Sequence, residues 1–182
     1  MRDPTFHMIT DIVDNTVDMC CSDDVDPEEW DLKELNSVLL PIVPLEPLTK
    51  ERMHFKKKNE LKHQLKEEAV KLYEMKEAEF PESEQIRELE RVILLKVIDN
   101  KWMAHIDDME QLRQGIGLTA YGQRDPVVEY KTRAFKMFND MIGSIQEDTV
   151  RMLYHVHVEQ KIEREQVAKV TGTNKDDTSV KK

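Results

Sequence analysis

Glycine is nearly absent from this chain, five residues in 182, and proline is little commoner at seven. That leaves few of the residues that punctuate a turn-rich fold. Aromatic residues, at 6%, are thin for a compact globule of this size. The composition therefore points away from one deep core and toward extended, partly exposed helices. The cysteines are only Cys20 and Cys21. Adjacent cysteines make a strained disulfide, so they read as two reduced thiols of a cytosolic protein. A metal site would need more ligands at useful spacing. No apolar run approaches the length of a membrane span, so nothing here is expected to cross a bilayer by itself. The first residues lack the basic-then-apolar pattern of a secretory signal. A formal charge of −10 disfavours nucleic acid as the main partner, because a phosphate backbone rewards a basic surface.

What is present is helix-forming: 39% hydrophobic and 35% charged residues, rich in Glu, Lys, Leu, Met, Gln and Arg. Phe6, Ile9, Ile12, Val13, Val17 and Met19 recur at roughly helical spacing over residues 1–22, which start abruptly, as though cut from a longer helix. "CSDDVDPEEWDLKEL" holds two overlapping helix starts, Asp26-Pro27 with Glu29 and Asp31 with Glu34. The sequence does not choose between them. "LLPIVPLEPL" cannot be a helix interior. It reads as an apolar extended connector packed on the helices, with a proline-rich recognition ligand as the alternative. Thr49 is placed to cap the next helix, in which Leu61, Leu65, Ala69 and Leu72 or Tyr73 share a face. "KKKNELK", from Lys56 to Lys62, reads as that helix's solvated face, with Glu60, Glu67 and Glu68 as its charge partners. Pro81 ends this helix and Ser83 can cap another.

A longer stripe follows: Ile86, Leu89, Ile93, Val97 or Ile98, Trp102, Ile106 or Met109, Leu112 and Ile116. Then "QGIGLTAYGQRDP" gathers Gly115, Gly117 and Gly122 around Tyr121, and Asp125-Pro126 restarts a helix as N-cap and N1. Ala134, Phe138, Met141, Ile145, Met152 and Val156 share the returning face. Two amphipathic helices joined by a short glycine-containing turn make an antiparallel hairpin. Its core is expected to be Trp102, Ile106, Leu112, Ile116, Phe138, Met141 and Ile145, with Trp102 mostly buried. Gly115, Gly117, Gly122, Asp125 and Pro126 are expected to form the turn. From Glu159 the chain turns polar and is expected to be disordered.

The catalytic signatures are missing. There is no G-x-x-x-x-G-K-[ST] phosphate cradle, and no nucleophile pair can be argued. Asp107 and Asp108 are adjacent, so they do not share a helix face. "HVHV", from His155 to Val158, reads as surface or packing, with a metal pair as the alternative. No catalytic residue and no metal ligand is assigned.

The stretch Leu94 to Ile142 resembles the C-terminal helical region of SecA, the bacterial preprotein translocase ATPase family. The family pattern runs W-x-x-H, L-R-Q-G-I, a tip with G/A-Y, D/N-P, E-Y and F-x-M-F. Here it is carried in order by Trp102, His105, Leu112, Arg113, Gln114, Gly115, Ile116, Tyr121, Asp125, Pro126, Glu129, Tyr130, Phe135, Met137 and Phe138. "WDLKEL" and the helix before Pro81 sit where the family's wing and scaffold would be.

The resemblance implies an excised fragment with an all-α fold, a helical wing bundle plus a long antiparallel two-helix hairpin. Its divisions would be residues 1–22 (end of a scaffold helix), 23–82 (wing and return helix), 83–158 (two-helix finger) and 159–182 (start of a disordered linker). It implies no activity and no cofactor for this part alone. ATP and Mg would belong to the parent motor, at the cytoplasmic face of a bacterial cell membrane. The implied partners are the SecY channel complex, preproteins and the parent's motor domains, whose ATP hydrolysis this region would restrain. The finger tip, Leu118, Thr119, Tyr121, Gly122 and Arg124, would contact the translocating chain. Family members often carry a basic residue where Thr119 stands, which leaves Arg124 to supply the charge. A free-standing helical adaptor that binds a partner through its hairpin is the competing reading.

Overall fold

The structure, a computed structural model, describes residues 2–52, 57–116 and 125–156. They form α1 (Arg2–Cys20), a 3-10 turn (Pro27–Glu29), α2 (Leu32–Leu39), α3 (Lys58–Ala78), α4 (Ser83–Ile116) and α5 (Pro126–His155), with no strand among the described residues. The fold is all-α, as the composition suggested.

In α1, Ile9, Ile12, Val13 and Val17 are buried along one face. Met19 is exposed instead of sharing it. Two residues past Val17 is about 200° of helix rotation, the opposite side. Both helix starts around Trp30 are used. Asp26 caps the 3-10 turn by accepting from the Glu28 N–H, and Asp31 caps α2 by accepting from Lys33 and Glu34 N–H. Between them Trp30 is buried, and its indole N–H donates to the Ser22 carbonyl at 3.1 Å. The proline-rich connector packs inward through Ile42, Val43 and Leu48. Asn36 clasps it by pairing with both the N–H and the carbonyl of Leu48, at 2.9 and 2.8 Å.

Two expectations for α3 fail. Thr49 does not cap it, because the helix begins at Lys58 after an N-cap at Lys57 that makes no side-chain bond. Nor are Lys58 and Lys62 a solvated face, although Lys57 is exposed; Lys56 lies outside the described residues. Lys58 pairs with Asp18 and Asp23 at 2.9 and 3.1 Å, Lys62 with Asp18 at 2.7 Å, and Lys66 with Asp14 at 2.9 Å. These aspartate partners lie on α1 and the segment after it. This row at i, i+4 and i+8 docks α3 on α1, whose contact its apolar face Leu61, Leu65, Ala69 and Tyr73 extends. Arg52 at the end of the connector adds an ion pair to Glu68 at 3.3 Å.

Pro81 separates α3 from α4, and Ser83 is the first helical residue of α4. The hydrophobic core lies where α1, α2 and α3 meet the near ends of α4 and α5: Ile86, Ile93 and Val97 from one, Met141, Ile145, Val150, Leu153 and Tyr154 from the other. On α5, Leu153 is buried and the expected Met152 is exposed.

Candidate functional site

Past that core, α4 and α5 continue together as a hairpin. Its returning strand of helix starts as expected: Asp125 accepts from the Val127 N–H at 2.8 Å and Pro126 occupies the first helical turn. The residues facing the partner helix are not all those expected. On α4 the inner row is Val97, Lys101, His105, Met109, Leu112 and Ile116; on α5 it is Ala134, Met137, Met141, Ser144 and Ile145. Met141 and Ile145 are buried, and Leu112 and Ile116 half-buried. Trp102 and Ile106 are each 48% exposed and Phe138 is 42% exposed, so these three do not belong to a hairpin core. One residue is about 100° of rotation, enough to carry Trp102 and Ile106 from the seam onto the flank. A two-helix hairpin offers only one line of contact, and nothing else among the described residues covers that flank.

Gly115 is also corrected. It lies inside α4, with open space where a side chain would be, so it is not part of the turn. Gly117, Leu118, Thr119, Tyr121, Gly122 and Arg124 lie outside the described residues.

Polar groups interrupt this seam near the base. Lys101 on α4 reaches Asp148 on α5 at 2.6 Å, and Arg151 pairs with the same carboxylate. A shallow groove between the helices is bordered by Lys101, His105, Asp108, Met137, Asp140 and Ser144. His105 links the two flanks, its ring 6.0 Å from Trp102 and edge-on to Phe138 at 6.1 Å. Toward the tip, Glu110 accepts from Gln114 and Arg113, which hold its carboxyl below the usual range. On the facing helix Arg133 pairs with Glu129 at 2.6 Å. These are short-range pairs within one helix, and they stiffen each rod without joining it to the other.

Among the described residues no three His, Cys, Asp or Glu side chains gather as a metal site, and no helix is long and apolar enough to cross a membrane. What the described residues of the hairpin present is a long shaft with an uncovered apolar flank.

Residues 1–157 match the family model of the SecA wing and scaffold domain. The chain belongs to the SecA family. It is 64% identical over its whole length to the protein translocase subunit SecA of Lachnoclostridium phytofermentans, covering 21% of that protein. It is 46% identical, again over its whole length, to the protein translocase subunit SecA 1 of Alkaliphilus metalliredigens, covering 20% of it. The SecA of Desulforamulus reducens is 45% identical over 87% of the chain. The chain thus spans about a fifth of the length of these SecA relatives.

Two features of this SecA wing and scaffold went unread in the sequence. The lysine row was visible as Lys58, Lys62 and Lys66 at helical spacing, but its aspartate partners are remote in sequence, 44 residues from Lys62 and 52 from Lys66. Glu90 falls in register with Ile86, Ile93 and Val97 and is buried with them. A lone carboxylate on an apolar stripe was the signal that could have found it.

Proposed function

We propose that this chain serves as the non-catalytic wing, scaffold and two-helix finger of a motor that moves preproteins through the SecY channel. In this reading the hairpin carries its tip to the translocating polypeptide, and the same region restrains ATP hydrolysis by contact with the motor. ATP and Mg would be held by parts of the longer relatives outside this chain, which carries no phosphate-cradling motif of its own. The working place would be the cytoplasmic face of a bacterial membrane, reached through the parent protein.

One observation supports this above the rest. The last core residue of α4 is Val97, and the helix runs on to Ile116, roughly 30 Å further at its usual rise. A shaft of that reach with little core of its own adds nothing to folding the base; it suits an element that must touch something distant. A tyrosine at its end would press on many peptide sequences through its face and hydroxyl without selecting one.

The test is made in the full-length protein. Tyr121→Ala should cut preprotein transport while basal ATP hydrolysis stays largely intact, and Tyr121→Phe or Trp should retain more transport than Ala. In the 182-residue chain the Ala change should alter stability by no more than about 0.5 kcal/mol, the usual range for surface positions. A large stability loss with normal transport would make the ring a structural plug and sink the reading.

A further inference from the structure

At the foot of the hairpin, Tyr73 of α3 is fully buried and meets each of the other long helices. Its ring stands edge-on to Phe6 of α1 at 5.8 Å and to Tyr154 of α5 at 5.7 Å. Its hydroxyl donates to Glu90 Oε1 of α4 at 2.5 Å. Glu90 is 1% exposed, and the same oxygen accepts from Arg87 at 2.5 Å. Arg87 also pairs with Glu77, one turn beyond Tyr73 on α3. One turn before Tyr73, the Ala69 carbonyl accepts from the Tyr154 hydroxyl at 2.8 Å. Ala69, Tyr73 and Glu77 therefore form a single row on α3 that receives α5 at one end and α4 at the other. Burial, reinforced by the bond to Glu90, raises the Tyr73 hydroxyl far above the ordinary tyrosine range, so it remains a donor throughout neutral pH.

A cluster of this kind is a poor device for stability. Replacing a buried charged pair by apolar groups of similar volume is often neutral or stabilising. What its bonds add is direction, which apolar contact lacks. Direction matters here because the shaft is long. Ile116 lies roughly 39 Å along α4 from Glu90, so each degree of error at the root moves it by about 0.7 Å. We propose that Tyr73, Glu90, Arg87 and Glu77 form an orienting joint, which sets the angle at which the hairpin leaves the α1–α3 base through hydrogen-bond geometry. Nothing in this joint depends on what the tip touches.

The test measures angle and stability separately, in the full 182-residue chain with Cys20→Ala and Cys21→Ala. Nitroxide pairs are introduced by Lys33→Cys with Lys131→Cys, spanning base and hairpin, and by Asp99→Cys with Lys131→Cys, within the hairpin. The apolar replacement is Tyr73→Phe with Glu90→Met, which leaves Arg87 paired to Glu77. Pulsed electron–electron resonance should show the base-to-hairpin distance distribution widening about twofold, the within-hairpin distribution unchanged, and the thermal midpoint equal or higher. If the double variant does not fold, Tyr73→Phe alone keeps the ring and should widen the first distribution about 1.5-fold. A first distribution of unchanged width in a folded variant would overturn the joint. So would equal widening of both, since that is a loosened hairpin rather than a released angle.

Discussion

Trp102 leaves about half of its surface to solvent, whereas Tyr73 leaves none. Trp102→Ala should therefore cost about 1–2 kcal/mol, well short of a core truncation, while Tyr73→Ala should cost about 3–5 kcal/mol. Urea unfolding of the two variants checks the order, and equal losses would contradict it. The two thiols divide in the same way. Cys21 is fully buried, and burial pushes its thiol up to about 11. Cys20 is partly exposed, and its thiol is raised as well, first by burial and then by Glu34 and Asp31. The thiolate is the reactive form. At pH 8, alkylation read by mass spectrometry should therefore be slow at both, reach Cys20 first, and reach Cys21 only on unfolding. Prompt modification of Cys21 in the folded chain would mean that α1 frays at its end.

Among the elements, α3 is attached to α1 by two means, an apolar face and the lysine row. Asp18 accepts from Lys62 and then Lys58, and both hold its carboxyl below the usual range. Asp18 in turn, then Asp23, raises Lys58 above the usual lysine range. A carboxylate held low contributes stability above its unfolded titration and loses it as pH falls through the lower folded value. A lysine held high contributes below the ordinary lysine range and loses it as pH rises past the higher folded value. This attachment should therefore be intact between about pH 4 and pH 10 and weaken outside that window. Asp18→Asn should flatten the acid limb of the stability curve, read by thermal melts from pH 2 to 7. It should also reduce the loss of stability between low and high salt, because partly exposed pairs are screened. An unchanged acid limb would show that the row contributes nothing.

At the scale of the whole molecule there are two zones. The base holds the core, and the outer hairpin, from Lys101 to Ile116 and from Pro126 to Asp140, contains no buried residue among those described. Local opening is governed by how much apolar contact must be broken. Amides of the outer hairpin should therefore exchange with solvent at least tenfold faster than those of Met141–Tyr154 and of α1 from Ile9 to Val17. Native-state hydrogen exchange measures this directly. Uniform protection along α4 would mean that the hairpin seam holds as firmly as the core.

The sequence by itself determined the helices, because helix spacing, the Asp26, Asp31 and Asp125 caps and the Pro81 break are all local. It also carried the family, through the ordered run from Trp102 to Phe138. Periodicity placed Leu61, Leu65 and Ala69 inward but left Leu72 and Tyr73 open, and packing against Phe6 and Tyr154 chose Tyr73. Only the tertiary structure decided which side of the outer hairpin faces in. An apolar stripe says that a face is greasy, not what covers it, and a rotation of about 100° separates Lys101 in the seam from Trp102 on the flank. Only the tertiary structure brought Asp14 and Asp18 to the α3 lysines, turning an apparent solvated face into an attachment. The same holds for Glu90: its place on an apolar stripe was local, but the Tyr73 hydroxyl that donates to it comes from another helix.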